Sequence, residues 1–302
     1  MSGIKGAAQE CDCDFTTTGN TVLDVDLLKV IQSTNVRDPI EKRWVDRSLW
    51  IWEPPDYSKT YLISADVARG DGKDFSAFHV LEMDSVTQVA EFKGIVDTKE
   101  YGNRLVSIAS EYNNAILVVE NNNIGWATLQ QIIDIGYPNT FYSSADLQYV
   151  DLEKQMTSKL GKMEKNMVPG FTTTNRTRPL IISKLDMYFR DKSVKTNSVR
   201  LYEELSVFIW NGSKAEAMSG YNDDLVTSLG MGLWVRDTAL RLRDDMNEYT
   251  KAILGGIRKT NVGDAVYKRS TELGKKYWEM PGYGSPTVGG ISKKPEDLKW
   301  LL

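Results

Sequence analysis

Five consecutive apolar residues, Ala115-Ile116-Leu117-Val118-Val119, run directly into Glu120. A strand of that composition has apolar side chains on both faces, so it belongs in a sheet covered by helices on both sides. The segments around it agree. Thr60 to Ala65 reads as a strand ending in Asp66, and Arg69-Gly70-Asp71-Gly72-Lys73-Asp74 is a glycine-rich turn. Phe75 to Met83 and Gln88 to Ile95 read as two further strands whose short connections make an antiparallel meander. Tyr101 to Tyr112 carries helical periodicity, and Gly125 to Ile135 reads as a second helix with Asn121-Asn122-Asn123 offering its caps. Thr140 to Tyr142 is expected to be a short fifth strand. The order β-β-β-α-β-α-β predicts an α/β fold with a mixed sheet, three antiparallel strands plus parallel ones, flanked by helices.

Outside that block the signals are weaker. Residues 1–58 read as an irregular lead-in, with a short helix from Asp24 to Ile31 and a boundary at Pro54-Pro55-Asp56. The polar stretch 145–175 reads as a loop or lid over the sheet. Pro179 to Phe189 is helical, Leu201 to Trp210 begins as helix or strand, and a long helix is expected from Asp223 to Leu242. The central domain is therefore set at 59–243, followed by a basic, partly flexible tail over 244–302.

Asp66 and Glu120 each close an apolar strand. If those strands are parallel neighbours, both carboxylates emerge at one end of the sheet, where they lose solvation and repel each other. A divalent cation removes both penalties. Asp223-Asp224 opens the last long helix, a place where acids are favoured on other grounds. Ordinary roles for each, as strand-end turn residues or helix caps, stay open. Strand-end Asp, meander, helix, strand-end Glu and a helix opened by Asp is the layout of the ribonuclease H-like fold.

Composition narrows the chemistry. The chain has one histidine, His79, and two cysteines, Cys11 and Cys13. That excludes a disulfide framework and most zinc sites. Hard carboxylate oxygens suit Mg²⁺ or Mn²⁺, as one or two ions. His79 alternates with Ala77 and Leu81 within a strand and reads as a packed, hydrogen-bonded residue. The net charge of −4 is divided unevenly, at −3 over residues 1–60, −5 over 61–240 and +4 over 241–302. Any nucleic acid must then be held by local basic groups rather than by the overall field. No apolar run approaches the roughly 20 residues that cross a membrane.

Five segments resemble one family in order. YLISADVARGDGKDFSAFH (61–79) and LVVENNNIGWATL (117–129) resemble the first and second nuclease motifs of the large terminase subunits of tailed bacteriophages. TRPLIISKLD (177–186), YEELSVF (202–208) and GYNDDLVTSL (220–229) are similar to the rest of that domain, with the contractile-tailed type nearest in flavour. AAQECDCDF (7–15) resembles the segment that joins the packaging ATPase to the nuclease.

The resemblance implies an endonuclease that cuts concatemeric double-stranded DNA to start and end genome packaging by two-metal-ion hydrolysis. It places Asp66, Glu120 and Asp224 as catalytic metal ligands, with Asp223 as helper or cap and Asp74 as an outer ligand. Arg69 stands where some relatives have an acid, and is read as a phosphate contact instead. The implied partners are double-stranded DNA, the portal protein, the small terminase subunit and a terminase ATPase domain, with no membrane. The implied location is the host bacterial cytoplasm, transiently at the procapsid portal. The phosphate-loop pattern G-x-x-x-x-G-K-[ST] does not occur in the sequence, so the chain is expected not to translocate DNA by itself.

Candidate phosphate contacts are Arg69, Lys162, Lys165, Arg176, Arg178 and Lys184. Three other readings compete. A junction resolvase shares the fold, and a non-catalytic packaging or portal-docking module would use the basic tail. A sugar-kinase-like or actin-like ATPase would use the glycine-rich turn as a phosphate loop.

Overall fold

The structure, a computed structural model, describes residues 21–72, 74–144 and 167–237, together with the backbone of 287–288 and 291–292. The last two pairs, β11 (Thr287–Val288) and β12 (Ile291–Ser292), lie in a separate unit over Arg241–Leu302 and pair only with each other.

The sheet holds six strands in the order β1 (Glu41–Arg43), β2 (Leu49–Ile51), β5 (Thr87–Gly94), β4 (Ser76–Glu82), β3 (Tyr61–Asp66) and β6 (Ile116–Val119). Strands β3 (Tyr61–Asp66), β4 (Ser76–Glu82) and β5 (Thr87–Gly94) form the expected meander, with Asp66 opposite Ala77 and Ala77 opposite Lys93. Strand β6 (Ile116–Val119) lies parallel to β3, from Leu62 beside Ile116 to Ala65 beside Val119. It is the one parallel pair in that sheet; every other pairing is antiparallel.

The lead-in is not irregular throughout. Residues 41–43 and 49–51 are strands β1 (Glu41–Arg43) and β2 (Leu49–Ile51), which extend the sheet beyond β5. The alternation Leu49-Trp50-Ile51 explains this. Leu49 and Ile51 enter the core beside Phe78 and Phe92, while Trp50 projects to the opposite face. Helix α1 (Val25–Asn35) precedes them, capped by the Asp24 carboxylate, which accepts from Leu27 N at 2.8 Å.

Helices cover both faces. Helix α2 (Thr98–Glu111) sets Tyr101, Leu105 and Ile108 against Phe78, Phe92 and Ile63, joined by Leu129 and Ile132 of α3 (Gly125–Ile135). Each such fully buried side chain contributes about 1.5–3 kcal/mol. On the other face, α4 (Thr177–Arg190), α5 (Val199–Ser206) and α6 (224–237) pack Leu185, Leu205, Leu225 and Leu229 over Ala77 and Leu81. Gly232 lets α6 lie close to the sheet; a Cβ there would stand 2.6 Å from Ser64 Oγ. The segment expected to be helix or strand is both in succession, α5 and then β9 (Phe208–Asn211), which pairs with β10 (Lys214–Ala217).

Two further expectations are corrected along the free edge of β6. Thr140 makes a single parallel bridge to Leu117, after which β7 (Tyr142–Ser144) turns away to pair antiparallel with β8 (Met167–Pro169). Phe171, placed by sequence in a lid, instead bridges Glu120 and is buried. Backbone bonds from Phe141 N to Leu117 O and from Phe171 N to Val119 O cover the edge. That is how an apolar run outermost among the six paired strands stays buried. Residues 145–166 of the expected lid lie outside the described residues, as does the tail apart from the two short strands.

Candidate active site

Because β3 and β6 are parallel neighbours, Asp66 and Glu120 leave the sheet at the same end. Glu120 N continues the ladder by donating to Ala65 O at 2.9 Å. The α3 helix starts so near this strand end that a Cβ on Gly125 would lie 1.8 Å from Glu120 O, so glycine there sets how close the helix comes. From the other face, the Tyr101 hydroxyl donates to Ala77 O at 2.8 Å and Asp66 O at 3.1 Å, fixing the backbone beneath the acid.

The Asp66 and Glu120 carboxyls lie close enough to act directly on each other. Desolvation first, and then the Glu120 charge, hold Asp66 well above the usual carboxylate range, with Asp224 and Asp223 adding to the effect. Asp224, in the first turn of α6, is pushed up to about 6 by its burial; Asn222 and Lys93 oppose that, while Asp223 and the exposed Asp74 add to it. Thus the structure brings Asp66, Glu120 and Asp224 into one electrostatic neighbourhood.

Asp223 faces elsewhere, taking Nη2 of Arg178 at 2.8 Å. Arg178, read by sequence as a phosphate contact, also donates to Ala215 O. Lys184 pairs with Asp237 at 2.7 Å. Arg69 and Arg176 are exposed, and Lys162 and Lys165 lie outside the described residues.

Two expected caps are replaced. The asparagines do not cap α3, whose N-cap is Ile124 with no side-chain bond. Instead Asn122 Nδ2 donates to Glu120 Oε1 at 2.7 Å, and Asn121 Nδ2 donates to Pro169 O. Their amides are more useful beside the strand end, where Glu120 needs a donor. At α6 the cap comes from Glu204 of α5, whose Oε2 accepts from Leu225 N at 2.9 Å and Val226 N at 3.3 Å. Lys93 Nζ reaches the other Glu204 oxygen at 2.5 Å. Burial pushes Glu204 up to about 7 against the pull of Lys93.

Sequence reasoning did not single out Glu204 or Lys93. The available signals were a glutamate on the apolar stripe Leu201-Tyr202-Leu205 and a lysine in an otherwise buried strand.

Hard carboxylate donors converging without a balancing cation suit a divalent metal. Among the described residues no ion pair involves Asp66, Glu120 or Asp224. Also among them, no three acidic, histidine or cysteine side chains are grouped to hold one ion in the present rotamers. Asp224 accepts from Asn222 Nδ2 at 3.2 Å.

No protein-family model matches the chain. Among solved structures, the magnesium-bound large terminase nuclease of the thermophilic phage G20c aligns with 72% of this chain and 97% of its own. Its TM-score is 0.53 and its sequence identity 17%. This chain has the large-terminase nuclease fold. The nuclease domain from Thermus phage P74-26 aligns with 68% of the chain and 93% of its own, at 17% identity and a TM-score of 0.45. The domain from bacterial virus Sf6 gp2 aligns with 70% and 98%, at 12% identity and 0.42. At 17% identity the G20c likeness shows the fold alone; residue roles rest on the geometry above.

Proposed function

We propose that this chain is a terminase nuclease, a divalent-metal-dependent endodeoxyribonuclease that cuts concatemeric double-stranded phage DNA to begin and end packaging. The observation that carries the reading is the Asp66–Glu120 pair at the ends of adjacent parallel strands, with Asp224 in the same electrostatic neighbourhood and no side-chain cation on any of the three among the described residues. The shared terminase-nuclease fold supports it.

In this reading Asp66, Glu120 and Asp224 hold Mg²⁺ or Mn²⁺, as one or two ions, with Asp223 and Asp74 outside them. The metal would supply polarisation of the attacking water and of the scissile phosphate. The chain's own residues prepare that site. Without a cation, burial and the Glu120 charge favour the protonated form of Asp66; a bound divalent ion would favour its carboxylate. Glu204 and Lys93 fix the first turn of α6, and Arg178 draws Asp223 aside, so that Asp224 presents its carboxylate. Double-stranded DNA is the substrate. A terminase ATPase domain, the portal protein and the small terminase subunit are the partners, in the host cytoplasm and at the procapsid portal. The contractile-tailed type is the one the sequence motifs favour.

The test is cleavage of supercoiled plasmid with Mg²⁺ or Mn²⁺. The wild type is expected to nick and linearise it, and EDTA to stop the reaction. Cleavage that survives in both Asp66→Ala and Glu120→Ala would overturn the site.

A further inference from the structure

Residues directly opposite each other on neighbouring strands share a face of the sheet. Two such rows cross the face that carries Asp66. One runs Asp66, Ala77, Lys93, with Lys93 N donating to Ser48 O just before β2. The other runs Ser64, His79, Glu91, Trp50, Lys42. With strands about 4.8 Å apart, Lys93 stands roughly 10 Å from Asp66 along the row, and Ser48 roughly 15 Å.

At the far end of both rows is a cavity of about 570 Å³ whose lining includes Lys42, Arg47, Trp50, Lys93 and Arg200. Its one acidic lining residue, Asp46, is turned onto Ser48, accepting from Ser48 Oγ at 2.7 Å. Lys42, Lys93 and Arg200 lie over aromatic rings, and Lys93 is also paired with Glu204. Lys42 Nζ lies 4.1 Å and the Arg200 guanidinium 3.9 Å from the Trp50 ring centre, and Lys93 lies 5.0 Å from that of Phe75. Arg200 is also fixed by Glu91 at 2.9 Å and Ser48 O at 3.2 Å. Arg47 is exposed in the β1–β2 connection at φ 54°, a left-handed conformation costly for a non-glycine residue. Its carbonyl accepts from Trp50 Nε1 at 3.0 Å, which ties this turn to the cavity wall.

We propose that this cavity is a docking site for the sugar–phosphate backbone of the DNA duplex entering the acidic site. Lys42 and Arg47 make the outer phosphate contacts, and Lys93 and Arg200 line the wall between them and Asp66. The inference rests on the nuclease reading and adds a binding surface to it. Each strand of a duplex carries a phosphate every ~3.4 Å of axis, so a strand held at Asp66 reaches the cavity about three to four nucleotides away. Positive charge there also answers the electrostatic difficulty of bringing a polyanion to a cluster of acids. The contacts are to backbone, so they carry no sequence preference.

The test is fluorescence anisotropy of a labelled duplex of arbitrary sequence, in EDTA to prevent cutting, over a series of salt concentrations with the full chain. Lys42→Ala/Arg47→Ala replaces two exposed side chains, and its thermal unfolding should match the wild type. It is expected to bind more weakly and to lower the slope of log affinity against log salt by about two. Between about 50 and about 200 mM salt, its affinity should then fall roughly tenfold less than that of the wild type. Lys192→Ala/Lys195→Ala removes two exposed cations near the opposite end of β5 and should leave the slope as it is. An unchanged slope in the first variant, or an equal loss in the second, overturns this inference alone where metal-dependent cutting persists. A wild type that neither binds nor cuts duplex DNA overturns it together with the nuclease reading.

Discussion

Two clusters of charged and polar residues share one face of the sheet, and they are built on opposite principles. In the middle, His79, Gln88 and Glu91 are completely buried and fully partnered. His79 Nε2 donates to Leu225 O at 3.0 Å, and its Nδ1 accepts from Gln88 Nε2 at 2.8 Å. Gln88 Nε2 also donates to Glu91, which takes Ser198 Oγ and Arg200 Nε on its other oxygen. Burial holds His79 below its usual range, so the ring is neutral and the network balanced. At the strand ends, Asp66, Glu120 and Asp224 are only partly covered, yet carboxyl lies against carboxyl and no ion pair among the described residues answers them. The first arrangement is finished as it stands. The second has no balancing cation among the described residues.

That difference can be broken from either side. The largest effect is expected at the acids. Asp66→Asn should lower metal-dependent cleavage by about 10²–10³-fold while leaving the melting temperature equal or higher, because it relieves a repulsion. Cleavage assays and thermal unfolding of the same preparation check both halves. In the balanced cluster, Glu91→Ala leaves Arg200 and Gln88 without their buried acceptor and should cost about 3 kcal/mol, read by urea unfolding. Between the clusters, Glu204→Ala uncaps α6 and should cost about 1–2 kcal/mol and reduce cleavage. Glu204→Gln, which still accepts from the two amides, should recover most of the stability.

The smallest effect is a pH dependence. Asp224 lies at about 6 in the folded chain, against an ordinary value of 3.8. An acid raised on folding makes the native state bind more protons, so its contribution to metal-free stability is lost as pH rises from about 4 to about 6. Asp224→Asn should flatten that part of the urea-unfolding profile. Added Mg²⁺ should stabilise the wild type increasingly across the same window, since binding requires the carboxylate.

Much of this was legible in the sequence where one strand or helix carries its own pattern. The Val119–Glu120 and Ala65–Asp66 junctions located the acidic end, and Gly125 to Ile135 is a helix with the expected limits. What escaped depends on pairing between distant segments. Leu49-Trp50-Ile51 is too short to declare itself a strand until β5 is beside it. Thr140 has too little apolar sequence around it to form more than one bridge. The capping of α6 by Glu204 joins residues 21 positions apart, and no local rule for caps finds such a partner. His79 was read as packed and hydrogen-bonded because its strand alternation was clear, and it is.

The central claim is that the strand-end acids await a divalent cation. Calorimetric titration of Mn²⁺ into the metal-free protein, in buffers of different ionisation enthalpy, tests it most directly. Binding with release of protons is expected in the wild type, and loss of that binding in both Asp66→Asn and Glu120→Gln. Absence of binding in the wild type, or undiminished binding in the two variants, would contradict the account.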